Sequence, residues 1–306
     1  MTSSNLYTLL QHIPTEHESF TTSVQISPDS QYLATASSDK TIHIFDFKTF
    51  TLLKKLIGHK GGVNTLEWSP DSKYIASTSD DQTTKIWEIE SQECLRTLTG
   101  HTYHVTTAAF SPKCNLIVTG SADEAIRVWE VQTGNSLRTL SAHSEPIAAV
   151  DLSWDGSIIA SASFDGTIRI FDTETGQCVK TLVYGKVPVS NIKFSPNGKY
   201  VLATTFDNTI RLWDYQNNKV LKTLQGGKFS KYRCTAVFIQ GLGQYEGMTF
   251  VASGSETGDV VIWDLNSKKV MDVLKVSEKP VLSVDEKNGI LVALSVDGKL
   301  SAFSFK

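Results

Sequence analysis

Residues 100–129 have the sequence GHTYHVTTAAFSPKCNLIVTGSADEAIRVW. Four residues in this stretch, His101, Ser121, Asp123 and Trp129, lie at separations that recur along the chain. A fixed internal period of this kind is typical of proteins built from repeated structural units. We therefore expect a repeat architecture.

The most constant part of the repeat is an acidic residue followed six residues later by an aromatic residue. It occurs as Asp39/Phe45, Asp81/Trp87, Asp123/Trp129, Asp165/Phe171, Asp207/Trp213 and Asp297/Phe303, and Thr257/Trp263 is a seventh copy without the acid. A hydroxyl residue stands two positions before each first member: Ser37, Ser79, Ser121, Ser163, Thr205, Ser255 and Ser295. The aromatic positions advance by 42 residues four times, then by 50 and by 40.

This pattern resembles the WD40 repeat over nearly the whole chain, since about 40–45 residues form one four-stranded blade of a β-propeller. The resemblance implies an all-β fold, a seven-bladed WD40 β-propeller. We expect residues 1–306 to form one domain, because propellers grow by adding blades around an axis. The blades are expected to begin at about residues 17, 59, 101, 143, 184, 226 and 277.

The recurring polar residues predict a hydrogen-bonded network inside each blade. The Asp can accept from a His in the preceding loop, the His can contact the hydroxyl two positions before the Asp, and that hydroxyl can reach the Trp indole. An unpaired buried polar group costs about 1–3 kcal/mol, so a closed set is expected. The loop histidines are His59, His101 and His143. His17 extends their spacing but is expected, with His12, His43 and His104, to be an ordinary surface or turn residue.

Residues 6–13, LYTLLQHI, alternate like a strand but precede the first full repeat. The last repeat has only three strand-like segments after Pro280. We therefore expect residues 6–13 to supply the outer strand of blade seven, which closes the ring and removes an exposed sheet edge. A second irregularity, IQGLGQYEGMT at residues 239–249, contains several glycines and suggests a flexible excursion from blade six.

Composition argues against several function classes. A net charge of −3 and a pI near 6.2 give no basic field for direct nucleic-acid binding. No apolar run approaches a membrane span, and the N-terminus lacks the features of a signal peptide, so we expect an intracellular protein without a membrane partner. The four cysteines share no CxxC spacing and are expected to be reduced and mostly buried.

Catalysis is not expected from the repeated Ser, His and Asp residues. The same set is copied from blade to blade and tied to a Trp, which favours a structural role over a catalytic triad. His59, His101 and His143 lie in different repeats without neighbouring ligands, so they do not predict a metal site. No catalytic residue, metal or cofactor is assigned.

Residues 141–182 and 187–224 are similar to one WD40 family, the adaptor of the histone H3 lysine 4 methyltransferase complexes built on a SET-domain subunit. These complexes are called COMPASS in fungi and MLL-type in animals. The resemblance covers about residues 17–270 and implies a non-catalytic nuclear scaffold, a monomeric ring within a hetero-oligomer. The implied partners are the C-terminal tail of a second WD40 propeller and the SET-domain catalytic subunit. A WD40 recognition or signalling scaffold elsewhere, such as a ubiquitin ligase receptor, remains the alternative.

The family resemblance implies a cleft between blades five and six that binds the acidic, aliphatic tail of the second propeller. The residues Asn197, Tyr200, Leu212 and Phe238 match those of the family, whereas Asn266 stands where the family has Gln and Gln240 where it has Val. Phe238 and Leu212 would offer an apolar floor, Tyr200 contact area and a hydroxyl, and Asn197 hydrogen bonds to an extended peptide.

A second site of the family is the mouth of the central channel, where the animal adaptor clamps an arginine between two phenylalanines. Here the two positions are Thr106 and Thr235, a neighbouring Ser position is Asn64, and Phe164 and Tyr232 remain from the aromatic rim. Threonines cannot supply the stacking and cation–π contacts of a guanidinium sandwich. We expect arginine capture at this mouth to be weak or absent.

Overall fold

The computed structural model describes residues 6–141 and 143–306, in which twenty-eight strands form seven four-stranded antiparallel sheets. Strand β1 (Tyr7–Pro14) precedes blade one. Blade one contains β2 (Thr21–Ile26), β3 (Tyr32–Ser37), β4 (Thr41–Asp46) and β5 (Leu52–Ile57). Blade two contains β6 (Val63–Trp68), β7 (Tyr74–Ser79), β8 (Thr83–Glu88) and β9 (Cys94–Thr99). Blade three contains β10 (Val105–Phe110), β11 (Leu116–Ser121), β12 (Ala125–Glu130) and β13 (Ser136–Ser141).

The remaining sheets repeat this order. Blade four contains β14 (Ile147–Leu152), β15 (Ile158–Ser163), β16 (Thr167–Asp172) and β17 (Cys178–Val183). Blade five contains β18 (Val189–Phe194), β19 (Val201–Thr205), β20 (Thr209–Asp214) and β21 (Lys219–Leu224). Blade six contains β22 (Ala236–Gln240), a 3₁₀ helix (Gly243–Tyr245), β23 (Thr249–Gly254), β24 (Asp259–Asp264) and β25 (Val270–Lys275). Blade seven contains β26 (Val281–Lys287), β27 (Ile290–Ser295) and β28 (Lys299–Phe305).

The predicted seven-bladed propeller is confirmed, including the way the ring closes. Strand β1 pairs antiparallel with β28, with Tyr7 opposite Phe305 and Pro14 opposite Lys299. The side chains of Leu6, Tyr7 and Ile13 are buried. The two ends of the chain therefore complete one sheet, and the edge of β28 is covered.

The turns between the first two strands of blades one, two and five follow from their Ser-Pro-Asp or Ser-Pro-Asn sequences. In blade one the Ser27 hydroxyl donates to the Asp29 carboxylate at 2.6 Å and accepts from the Tyr32 backbone N–H at 2.9 Å. The fourth residue of this turn has a positive φ, 58° at Ser30 and 68° at Gly198 of blade five. Glycine adopts this conformation without strain, whereas serine adopts it at some cost.

Residues 239–249 were expected to form a flexible excursion, but they pack against the ring. The Tyr245 ring meets Phe250 and Phe305 edge-on, with ring centroids 6.0 and 5.9 Å apart. These rings join the apolar core that lies between blades six and seven. The aromatic side chain holds the segment over this seam despite its glycines.

The cysteines are all free, as expected, but they are not mostly buried. Cys234 is buried and Cys114 half-buried, whereas Cys94 and Cys178 are exposed because they begin the outer strands of their blades. Among the described residues, no helix is long and apolar enough to span a bilayer.

Candidate functional site: the seam between blades five and six and the central channel

The blade networks form, but their hydroxyl comes from a different residue than expected. In blade three the His101 ring lies 2.9 Å from Asp123 Oδ2 through Nδ1 and 2.8 Å from Thr119 Oγ1 through Nε2. The Trp129 indole N–H donates to the same Thr119 hydroxyl at 2.8 Å. Ser121 instead lies 2.8 Å from the His104 carbonyl oxygen and accepts from the Asp123 backbone N–H.

The physical reason is position along the strand. Ser121 ends strand β11 at the turn, so its hydroxyl reaches the preceding loop, whereas Thr119 lies two residues earlier on the same face of the strand. The same arrangement recurs with Ser77 beside His59 and Ser161 beside His143, at 2.7 Å in each case. The prediction of a closed network is thus correct in its Asp, His and Trp members and wrong in its hydroxyl.

His17 and His43 are not surface residues. The His17 ring lies 2.9 Å from both Asp39 Oδ2 and Thr35 Oγ1, so it completes the network of blade one. The buried His43 ring stacks on it with centroids 3.8 Å apart. The 42-residue spacing that His17 shares with the loop histidines was the correct signal.

Blade five replaces the histidine by an arginine. The Arg211 guanidinium is buried, donates to the Thr205 hydroxyl at 2.6 Å and pairs with the Asp207 carboxylate. The Tyr184 ring covers this guanidinium, with 4.0 Å between the Arg211 Cζ atom and the ring centroid. These buried networks stabilise individual blades. Histidines pair the buried polar groups in blades one to four, and Arg211 does so in blade five.

Acid is expected to destabilise blade one through His17. Burial is the largest cause that lowers the pKa of His17 to about 4; the charge of His43 acts in the same direction, and the hydrogen bond to Asp39 opposes both. The unfolded chain therefore binds more protons than the folded chain below pH ~6.5. The neutral, buried His17 ring contributes about 3 kcal/mol to the free energy of unfolding above pH ~6.5. This contribution is lost as the pH falls towards 4.

Urea unfolding at pH 7 and pH 4.5 measures this loss. His17→Asn should be less stable than the native chain at pH 7 and should lose less stability between the two pH values. Equal losses in the two proteins would show that His17 does not carry the effect.

The predicted cleft residues converge at the seam between blades five and six. Tyr200 lies immediately before strand β19, Leu212 lies in β20 of the same blade, and Phe238 lies in β22 of blade six. All three belong to one apolar cluster, in which Tyr200 and Phe238 are partly exposed and Leu212 is only 4% exposed. Leu212 therefore supports the two rings from beneath and offers little surface of its own.

The polar cleft residues lie around this apolar surface. Asn197 is exposed in the β18–β19 turn, where its side-chain oxygen accepts from the Ser195 hydroxyl at 2.7 Å and from the Lys199 backbone N–H at 3.1 Å. Asn266, in the β24–β25 turn, accepts from the Lys222 ammonium at 3.1 Å and so links blade six to blade five. Gln240 is exposed and shares a strand face with Phe238.

Trp154 is a surface residue that the sequence argument did not single out. It is 70% exposed and packs over Gly198, where a Cβ atom would lie 2.3 Å from its ring. Its neighbour Asn197 belongs to the predicted cleft. The available signal was a tryptophan at the turn position where Pro28, Pro70, Pro112 and Pro196 stand in other blades.

The central channel contains a cavity of about 540 Å³. Of the predicted mouth residues, Asn64, Phe164, Tyr232 and Thr235 line it. The Thr106 hydroxyl lies 2.6 Å from the Ile147 carbonyl oxygen and 3.1 Å from that of Gly120, so it is engaged with the blade backbone. Thr235 accepts from the Val284 backbone N–H at 2.9 Å.

Arg233 also lines this cavity, although it belongs to no repeat motif. Its guanidinium donates to the backbone carbonyl of Ala148, 85 residues away in blade four, while its Nε atom is buried without a hydrogen-bond partner among the described residues. Burial lowers the pKa of Arg233 to about 10, so the side chain remains a cation at neutral pH. A cation already occupies the mouth.

Equivalent positions on the inner strands of five blades carry charged or polar side chains, whereas blades three and six have Ala109 and Val237 there. Lys193 lies 3.2 Å from the Asp151 carboxylate, and Gln25 donates to Glu67 at 2.8 Å. The charge of Asp151 raises the pKa of Lys193, while burial raises the pKa of Glu67 and of Asp285. Within residues 6–141 and 143–306, no group of three or more His, Cys, Asp or Glu side chains could hold a metal ion.

Comparison with protein-family models matches residues 13–302 to the family described as the WDR5 beta-propeller domain. The chain belongs to this family. The match spans nearly all of the 306 residues, so the protein is a WD40 propeller with a protein-interaction role. No curated protein matches the chain.

A peptide centred on arginine is expected to bind the channel mouth of this family member no more than about threefold better than its alanine counterpart, because aromatic clamps are missing and Arg233 repels a second guanidinium. Fluorescence anisotropy with the two labelled peptides measures the ratio. Arg233→Ala removes this repulsion but should still keep the ratio below about threefold, since Thr106 and Thr235 supply no ring faces. A preference for arginine of tenfold or more would contradict this account of the mouth.

Proposed function

We propose that the protein is a non-catalytic scaffold subunit of a nuclear SET-domain histone H3 lysine 4 methyltransferase complex. In this role it holds the C-terminal tail of a second WD40 propeller at the seam between blades five and six and also contacts the catalytic subunit. The observation that carries the proposal is the convergence of Tyr200 and Phe238, from adjacent blades, on one partly exposed apolar surface.

The chemistry of the seam suits an extended tail with aliphatic and acidic side chains. Two half-buried aromatic rings backed by Leu212 can take up an aliphatic side chain and bury it against a rigid cluster. Rings of this kind lose little conformational entropy on binding. The apolar part of the tail would therefore supply most of the affinity.

Polar groups around the rings can fix the direction of the tail. Exposed Lys199 and the ammonium of Lys222 can attract carboxylates, and the Asn197 and Gln240 amides can pair with an extended backbone. Exposed charges of this type mainly set the association rate and the specificity. Trp154, beside Asn197, can extend the same surface towards blade four.

Purification of the tagged protein from its native cells, followed by mass spectrometry, tests the assignment. We expect a SET-domain subunit and a second propeller to be recovered in amounts comparable to the tagged chain. Recovery of ubiquitin ligase subunits or of another assembly, without a SET-domain protein, would reject the methyltransferase assignment.

A further inference from the structure

We propose that the seam between blades two and three is a second docking groove, which binds an extended segment of another protein that carries an aliphatic side chain beside a carboxylate. The blade 2/3 groove is defined by Tyr74, Ile86, Arg96, Lys113, Leu116 and Val131, which surround a cavity of about 460 Å³. This proposal does not depend on the methyltransferase assignment, since it rests on the groove alone.

The internal repeat places matching side chains at the two seams. Tyr74 and Ile86 of blade two stand 126 residues before Tyr200 and Leu212 of blade five. In both seams the isoleucine or leucine is buried in a cluster against which the tyrosine packs. The floor of the blade 2/3 groove therefore has the composition of the blade five and six surface.

The facing blade completes the correspondence. Phe110 pairs with Ile117 in the first hairpin of blade three, as Phe238 pairs with Val251 in blade six. Val131 packs against the same cluster as Tyr74, and Leu116 lines the cavity beside it. An aliphatic side chain placed here would contact apolar atoms from two blades.

Two cations stand over this apolar floor. The Arg96 guanidinium is fixed by bonds to the Gln132 carbonyl at 3.1 and 2.8 Å and to the Leu95 carbonyl at 2.7 Å, which uses three of its five N–H groups. Lys113 is exposed, and no carboxylate lies within ion-pair distance of its ammonium in the described part of the chain. Both cations are available to a carboxylate of the occupant.

The acidic residues nearby are already engaged in their own turns. Glu130 accepts from the Thr133 hydroxyl at 2.6 Å, and Asp71 accepts from the Ser69 hydroxyl at 2.6 Å. Their charges reduce the positive potential but leave the Arg96 and Lys113 donors unpaired with them. The charge pattern thus favours an acidic segment over a basic one.

A labelled probe peptide, Asp-Leu-Asp-Leu-Asp with blocked termini, tests the groove. Binding is measured by fluorescence anisotropy in the Tyr200→Ala, Phe238→Ala background, so that the other seam does not contribute. We expect saturable binding with a dissociation constant of about 10–500 μM, weakened about fivefold or more by Lys113→Glu and about tenfold by Tyr74→Ala. A Lys-Leu-Lys-Leu-Lys probe should bind at least about fivefold more weakly.

The half-buried thiol of Cys114 lines the groove and reports the position of the probe. Iodoacetamide alkylation of Cys114 should slow when the probe is bound, whereas alkylation of exposed Cys178 should not change. Lys113→Glu, which alters only an exposed side chain, should reduce the protection when the probe concentration is near its dissociation constant. Absence of saturable binding up to about 1 mM, unprotected Cys114, or protection unaffected by Lys113→Glu would overturn the proposal.

Discussion

Replacement of both Tyr200 and Phe238 by alanine is expected to weaken binding of the partner propeller's tail by at least about 100-fold, because both rings are contact anchors and each is worth about 2 kcal/mol or more. Both side chains are only partly buried, so the propeller should remain folded without them. Titration calorimetry with the tail peptide measures the loss, and circular dichroism checks the fold.

Tyr32→Ala is the matched control, since Tyr32 occupies the same place in blade one. It removes an equivalent ring from an equivalent core and should change the affinity for the tail by less than about twofold. Equal losses of tail affinity in the control variant and the Tyr200, Phe238 variant would indicate a general effect on the propeller. An unchanged affinity in the double variant would remove the blade five and six seam as the binding site.

Closure of the ring by β1 predicts a second large effect, this time on stability. Tyr7→Ala combined with Ile13→Ala should lower the free energy of unfolding by about 5 kcal/mol, since both side chains are buried and each large-to-small change costs about 2–5 kcal/mol. A loss of this size is comparable to the whole stability of many domains. Chemical denaturation followed by tryptophan fluorescence measures it.

The same strand supplies the control. Leu9 and Leu10 are 48% and 51% exposed, so their joint replacement by alanine should cost less than about 1 kcal/mol. Tyr7→Phe should be nearly neutral, because the Tyr7 hydroxyl is buried without a hydrogen-bond partner among the described residues. If the Leu9, Leu10 variant were as unstable as the Tyr7, Ile13 variant, the closing strand would not owe its stability to its buried face.

The fold could be predicted because it is repeated. Each copy of the Asp and aromatic pair supports the others, and the two incomplete ends predict the closing strand. The network hydroxyl was misassigned by two positions because residues two apart share a strand face, so Thr119 and Ser121 cannot be distinguished from alternation alone. His17 was missed although its spacing was visible.

The candidate sites were predictable in part. Family resemblance selected Tyr200 and Phe238, and the structure brings both to one seam, but burial of Leu212 depends on packing that spacing does not reveal. Arg233 lies outside any repeat motif and meets Ala148 only because the ring closes. The groove between blades two and three depends on the placement of Arg96 and Lys113 around an apolar floor, which spacing along the chain does not reveal.

Site-specific photo-crosslinking in the native assembly tests the central claim most directly. A photo-reactive amino acid at exposed Lys199, next to Tyr200, is activated in the purified complex, and the adducts are identified by mass spectrometry. We predict adducts with the C-terminal tail of a second propeller subunit, which disappear when Tyr200 and Phe238 are both alanine. An intact complex in which position 199 forms no adduct with any propeller tail would contradict the account.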